Sequence, residues 1–158
     1  MKAGWFVTLA IIATVALGNA ASAASADAVV RSTKGEFKDV KERVLHAIEN
    51  RGFVLNYTAR IGAMLERTGK DIGARRQVYA EAELLEFCSA RASRDTMEAD
   101  PRNIVFCPYA IAIYTLPKDK ARVYLAYRRP AAFGSEQSVK SLRAVEKLLA
   151  DIVGEALK

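Results

Sequence analysis

The sequence contains few of the side chains that metal sites and covalent catalysis require. Among its 158 residues there are one histidine, His46, and two cysteines, Cys88 and Cys107. A zinc site built from three histidines or from four cysteines is therefore excluded within one chain. The sequence also lacks a Cys-x-x-Cys pair, a haem-attachment motif, a nucleophile elbow, a phosphate loop and a calcium loop. We predict no cofactor and no metal site, and these absences favour a protein without enzymatic activity.

The remaining composition is that of an ordinary folded protein. Hydrophobic residues make up 51% of the chain and charged residues 27%, with a formal net charge of +6. This balance excludes a collagen-like, low-complexity or wholly disordered chain. The length predicts one domain, with little room for a second.

The amino-terminal residues differ in composition from the rest. Lys2 precedes an almost uninterrupted apolar run from Gly4 to Gly18, and small residues follow as far as Ala26. This order is typical of a secretory signal peptide, and a run of about 15 apolar residues is shorter than the ~20 that a membrane span needs. We predict a signal peptide over residues 1–23, with cleavage after Ala26 as the alternative. The protein is then periplasmic or secreted, has no stable membrane insertion after cleavage, and consists of a single domain at residues 27–158.

Hydrophobic periodicity divides this domain into helices and strands. Apolar residues recur at helical spacing in two segments, residues 37–48 and 139–153. The first of these ends at Gly52, a suitable residue for a left-handed helix cap. Strands are predicted at 29–33, 53–58, 79–88, 104–114 and 121–127, a short helix at 89–97, and a loosely structured excursion at 61–78. The order of strand, helix, four strands and helix predicts an α+β domain with helices on one face of a mainly antiparallel sheet.

The predicted strands carry apolar residues on both faces. Tyr109 shares a face with Ile111 and Ile113, whereas Tyr114 points to the opposite face. Because the helices cover one face only, the other is predicted to form a dimer interface or a shallow pocket. The candidate binding and interface residues are Tyr114, Tyr124, Arg128 and Arg129.

Basic residues are concentrated around the excursion at 61–78. They are Arg60, Arg67, Lys70, Arg75 and Arg76. In an extracytoplasmic protein they fit an anionic small molecule, an acidic partner or anionic lipid headgroups, and we predict no nucleic-acid partner. A solvated basic surface that keeps the protein soluble is the alternative.

The two cysteines flank the predicted short helix. Cys88 ends one predicted strand and Cys107 lies in the next, so their Cα atoms fall within the ~4.4–6.8 Å of a disulfide if the strands are neighbours. An even cysteine count in an oxidising compartment favours a structural disulfide. Two buried free thiols, or a reactive pair that works in redox or sulfur transfer, are the alternatives.

Several segments occur in the order and spacing of a known family. They are Ala47-Ile48-Glu49-Asn50-Arg51-Gly52-Phe53, Leu85-Glu86-Phe87-Cys88, Cys107-Pro108-Tyr109-Ala110-Ile111-Ala112-Ile113-Tyr114, and Val123-Tyr124-Leu125-Ala126-Tyr127 ahead of Pro130. Together they resemble the domain of unknown function 302 family over residues 29–158. The resemblance implies a TATA-binding-protein-like arrangement of one strand, a helix, four strands and a helix, often dimeric. It implies no established reaction.

These observations lead to one functional hypothesis and two alternatives. The leading hypothesis is a periplasmic or secreted, non-enzymatic domain that forms a homodimer and binds a small ligand or an extracytoplasmic protein. The first alternative is a thiol-based redox or sulfur-carrier protein that uses Cys88 and Cys107. The second is non-covalent binding of haem or a metal ion.

Overall fold

A computed structural model describes residues 27–158, so the predicted signal peptide lies outside the described residues. The strands within these residues are β1 (Ala28–Lys34), β2 (Val54–Ala59), β3 (Glu81–Cys88), β4 (Tyr109–Leu116) and β5 (Asp119–Arg128). They form one antiparallel sheet in the order β1-β5-β4-β3-β2. The helices are α1 (Phe37–Glu49), α2 (Ile61–Gly69), α3 (Ala90–Ala99) and α4 (Glu136–Ala156), with a 3-10 helix at Pro101–Phe106. The predicted α+β class with an antiparallel sheet is confirmed. In the described part of the chain, none of the helices has the length and apolarity of a membrane span.

The hydrophobic core lies between one face of the sheet and the helices α1 and α4. The residues that recur at helical spacing in α1 are buried: Phe37, Val40, Val44 and Ile48. They meet alternate strand residues, among them Leu85, Ile111, Ile113, Val123 and Leu125, which are fully buried. Complete burial of one such side chain is worth about 1.5–3 kcal/mol, so this layer dominates the stability of the domain. The chain leaves α1 through Gly52, whose φ of +72° lies in the left-handed region that glycine tolerates.

The prediction of a strand over residues 104–114 is wrong in its first part. The chain forms the 3-10 helix at Pro101–Phe106, and β4 begins only at Tyr109. Asp100 caps this helix because its side chain accepts a hydrogen bond from the Arg102 backbone N–H, and Pro101 is suited to the first helical position. Ile104 and Val105 are exposed rather than buried in a strand.

The excursion predicted at 61–78 is also more regular than expected at its start. Residues 61–69 form α2, and the irregular part is confined to residues 70–80. Helix α2 packs closely along the beginning of β3, where a Cβ atom on Gly62 would lie 2.9 Å from the backbone nitrogen of Ala82. Such a contact is too short for any side chain, so glycine permits this approach.

Asn103 fixes the 3-10 helix to the rest of the domain. Its side chain is 1% exposed, and its Nδ2 donates to the Thr96 carbonyl at 2.8 Å and to the Ser138 Oγ at 2.9 Å.

We expect Asn103→Ala to lower the free energy of unfolding by about 1–3 kcal/mol, because the Thr96 carbonyl and the Ser138 hydroxyl lose their buried hydrogen-bond donor. Urea denaturation measures the change. Val105→Ala, on the same turn and 71% exposed, is the matched control and is expected to change stability by no more than about 0.5 kcal/mol. Equal midpoints for the two variants would contradict the anchoring role.

Candidate functional site

The face of the sheet opposite α1 and α4 carries small and aromatic side chains. Strand register pairs Ala112 with Ala126 and Tyr114 with Tyr124, and Leu84 is paired with Ala112 from the other side. All five residues are half-buried. We call this surface the open face. Its alanines leave room above the middle of the sheet.

A groove of about 820 Å³ occupies one end of the open face. Its floor is formed by small and aliphatic side chains of three neighbouring strands: Ala82, Leu84, Ala112 and Ala126. Ile61 at the start of α2 and Tyr79 in the irregular segment form its wall. The close packing of α2 on β3 brings this wall over the sheet.

Three tyrosines form a continuous aromatic cluster, and two of them, Tyr79 and Tyr114, line the groove. The rings of Tyr114 and Tyr124 are stacked with centroids 5.0 Å apart, and the ring of Tyr79 meets Tyr114 edge-to-face at 5.3 Å. Such pairs add about 0.5–1.5 kcal/mol beyond simple burial. Burial raises the pKa of Tyr114, with smaller contributions from Tyr79 and Tyr124. The Tyr114 phenol is therefore uncharged at neutral pH.

The charged side chains that line the groove leave a positive balance. Arg76 and Lys118 are basic, and Glu83 is the one acidic side chain among the described lining residues. The Glu83 carboxylate pairs with Lys41 of α1. Neither Arg76 nor Lys118 forms an ion pair within residues 27–158.

The structure brings together some of the binding residues predicted from the sequence and separates others. Tyr114 and Tyr124 stack on the open face, and Arg128 lies on that face two residues beyond Ala126. Arg129 does not join them, because its Nε donates to Glu146 of α4 at 2.6 Å on the helix side. The prediction also missed the groove residues Ile61, Tyr79 and Leu84. The period-two pattern of β3 could have placed Leu84 on the open face, but no local signal marks the other two.

The structure also brings the two cysteines into contact. Cys88 at the end of β3 and Cys107 just before β4 have their Sγ atoms 3.2 Å apart, and the Ser93 Oγ lies 3.6 Å from the Cys107 Sγ. Both thiols are free and half-buried. No group of three or more potential metal-ligating side chains occurs in the part of the chain described here. His46 lies exposed on α1.

Cys88 is protonated at neutral pH. Burial, together with the hydrogen bond to Cys107, raises its pKa from an ordinary 9.0 to about 11.

We expect iodoacetamide at pH 8 to alkylate Cys88 in the reduced protein about tenfold more slowly than in the denatured chain. The smaller thiolate fraction outweighs the greater nucleophilicity of a thiolate with a higher pKa. Peptide mapping of both cysteines over time measures the rates. Equal rates in the native and denatured protein would contradict the raised pKa.

Comparison with known proteins gives the same fold. The chain is similar to the crystal structure of an uncharacterized conserved DUF302 protein from Bacillus stearothermophilus, with a TM-score of 0.70 and 12% sequence identity. The similarity covers 85% of this chain and 100% of that one, and at this identity it establishes the fold alone. No curated protein matches the chain. The sequence profile described as "Domain of unknown function DUF302" matches residues 28–156. With nearly the whole described domain covered by that profile, the chain belongs to the DUF302 family.

Proposed function

We propose that the protein is an extracytoplasmic, non-enzymatic binding domain that holds a small ligand in the groove on the open face and works as a homodimer. The groove carries the proposal. Its volume of about 820 Å³ is within the range of roughly 300–1,000 Å³ that ligand sites occupy. Its lining combines aliphatic and aromatic side chains with a few polar groups, which is the usual composition of such sites.

The location and the dimer rest on separate observations. The charged, apolar and small-residue order of the first 26 residues supports secretion. Dimerisation is supported by exposed apolar side chains on the two edge strands, Val30 on β1 and Val54 and Tyr57 on β2. The strand register places these residues on the open face, so a second copy packed across the sheet would cover them.

A variant that fills the groove tests the binding function. The probe is N-phenyl-1-naphthylamine, a neutral apolar dye whose fluorescence rises in apolar sites. We expect saturable binding of one dye per groove and a loss of at least tenfold in affinity for Ala112→Phe, because the new ring occupies the floor. Ala110→Phe is the matched control, since Ala110 lies on the same face of β4 outside the groove lining. The absence of saturable binding, or equal losses in both variants, would overturn the proposal.

Light scattering at high protein concentration tests the dimer. A mass of two chains is expected, and Val54→Asp is expected to shift it to one chain because a charge in an apolar interface is costly. A single-chain mass for the unaltered protein would overturn the homodimer while leaving the binding function in place.

Thiol-based redox or sulfur-carrier activity is the second candidate, favoured by the 3.2 Å contact between Cys88 and Cys107. Two thiols at this distance can be oxidised together by thiol–disulfide exchange. The measurement is the reduction potential of the pair. A value below about −300 mV identifies a structural bridge, and a markedly higher value supports the redox candidate. The absorption spectrum and metal content of the purified protein test haem or metal binding.

A further inference from the structure

We propose that the ligand of the groove is a single-chain aliphatic carboxylate whose head group lies at Arg76 and Lys118. This inference rests on the proposed binding function and adds the chemical class of the ligand. It follows from three features of the groove: an uncharged floor, two cations without an ion-pair partner within residues 27–158, and a single lining carboxylate among those residues that is already paired elsewhere.

The floor fits an aliphatic chain. The groove crosses β3, β4 and β5 through Ala82, Leu84, Ala112 and Ala126, which contribute only methyl and isobutyl groups. Tyr114 also lines the groove, but its ring is already stacked on Tyr124 and in T-shaped contact with Tyr79. A flexible chain therefore suits the groove better than a planar ring that must stack on an aromatic face. Each buried methylene is expected to tighten binding about fourfold.

The cations fit a single anionic head group. Arg76 comes from the irregular segment after α2 and Lys118 from the turn between β4 and β5, so two separate elements bring positive charge to the same groove. An arginine can bind both oxygens of a carboxylate at once, and a lysine that lines the same groove adds a point charge.

Among the lining residues that the structure describes, no unpaired carboxylate neutralises these two cations. Glu83 is its one acidic side chain among the described residues, and Glu83 pairs with Lys41 on the helix side of the sheet. Burial keeps the Tyr114 phenol protonated because it raises the pKa of that group. A cationic ligand would meet Arg76 and Lys118 without compensation, whereas a carboxylate would be drawn to them.

Three amphiphiles with the same chain length test the inference. Dodecanoate, 1-dodecanol and dodecylamine compete with N-phenyl-1-naphthylamine at concentrations below micelle formation. We expect dodecanoate to displace the dye at a concentration at least tenfold lower than the alcohol or the amine. Octanoate and decanoate are expected to bind progressively more weakly than dodecanoate, by about fourfold for each methylene removed.

Paired charge variants locate the head group. The double variant Arg76→Gln with Lys118→Gln is expected to weaken dodecanoate binding about 10- to 100-fold and to weaken binding of 1-dodecanol, which carries no charge, by a much smaller factor. The matched control is Arg75→Gln with Lys120→Gln, which removes the same charge from neighbouring positions outside this groove's lining. It is expected to retain the affinity for dodecanoate.

The outcomes separate this inference from the function on which it rests. Saturable dye binding with equal displacement by all three amphiphiles, or with the amine strongest, overturns the carboxylate and leaves the binding function standing. Equal losses in the two double variants overturn the assignment of Arg76 and Lys118. If neither the dye nor dodecanoate binds saturably, the binding function and the inference are both overturned.

Discussion

Replacement of Phe87 by alanine is expected to lower the free energy of unfolding by about 3–5 kcal/mol. Phe87 is fully buried on β3. Its ring is stacked on Phe53 with centroids 6.1 Å apart and forms a T-shaped pair with Tyr109 at a centroid distance of 6.0 Å, so truncation opens a cavity between two aromatic neighbours. The expected loss is a large share of the 5–15 kcal/mol by which domains are usually stable. Urea denaturation followed by circular dichroism measures it.

The control for this variant lies on the neighbouring strand. Val54 is paired with Cys88, the residue after Phe87, but it is 72% exposed at the sheet edge. Val54→Ala is expected to change the stability of the monomeric state by less than about 0.5 kcal/mol, because little apolar area is lost. A cost for Phe87→Ala below about 1 kcal/mol would show that the contacts of Phe87 with Phe53 and Tyr109 contribute little to the stability of the core.

Oxidation of Cys88 and Cys107 to a disulfide is expected to raise the free energy of unfolding by about 3 kcal/mol. The two residues are 19 positions apart, and the bridge would restrict that loop in the unfolded chain. The ends of β3 and β4 are already neighbours, with Phe87 paired with Tyr109. Two thiols form the bridge by passing two hydrogens to oxidised glutathione, which is reduced to two molecules of glutathione.

Urea denaturation with and without reductant measures how the free energy of unfolding depends on the state of the two cysteines. The intact mass reports the loss of two hydrogens when the bridge forms. Cys88→Ser is the control, because a single remaining cysteine cannot form the internal bridge. Its stability is expected to be the same under both conditions. If the unaltered protein forms the bridge without any gain in the free energy of unfolding, the prediction of a structural disulfide is contradicted.

The sequence was sufficient for the elements whose pattern is local. The apolar residues of α1 lie on one face of the helix, and any apolar surface that covers this face is enough to bury them. They are Phe37, Val40, Val44 and Ile48. Gly52 marks the exit from α1 because a left-handed cap favours glycine. The alternation of residues along β4 correctly predicted that Tyr109 and Tyr114 lie on opposite faces of the sheet, because successive side chains of a strand point to opposite faces.

The sequence pattern did not predict the conformation of segments that are stabilised by residues far away in the chain. Ile104, Val105 and Phe106 are typical strand residues, yet they lie in the 3-10 helix. That conformation is stabilised by Asn103, which donates to Thr96 and to Ser138, and Ser138 lies 35 positions away. Tertiary hydrogen bonds of this kind override the weak local preference for a strand.

The sequence by itself therefore determined the family, the α+β class with its antiparallel sheet, and the existence of an open face. Only the tertiary structure decided that this face carries a groove and that Arg129 is not part of it. The groove forms because Gly62 lets α2 approach β3, which brings Ile61 and Tyr79 over alanines of β4 and β5. Arg129 lies on the helix side of the sheet, where its Nε donates to Glu146 of α4. Helix and strand patterns arise from contacts between near neighbours in the chain, whereas grooves and ion pairs depend on segments that meet only after folding.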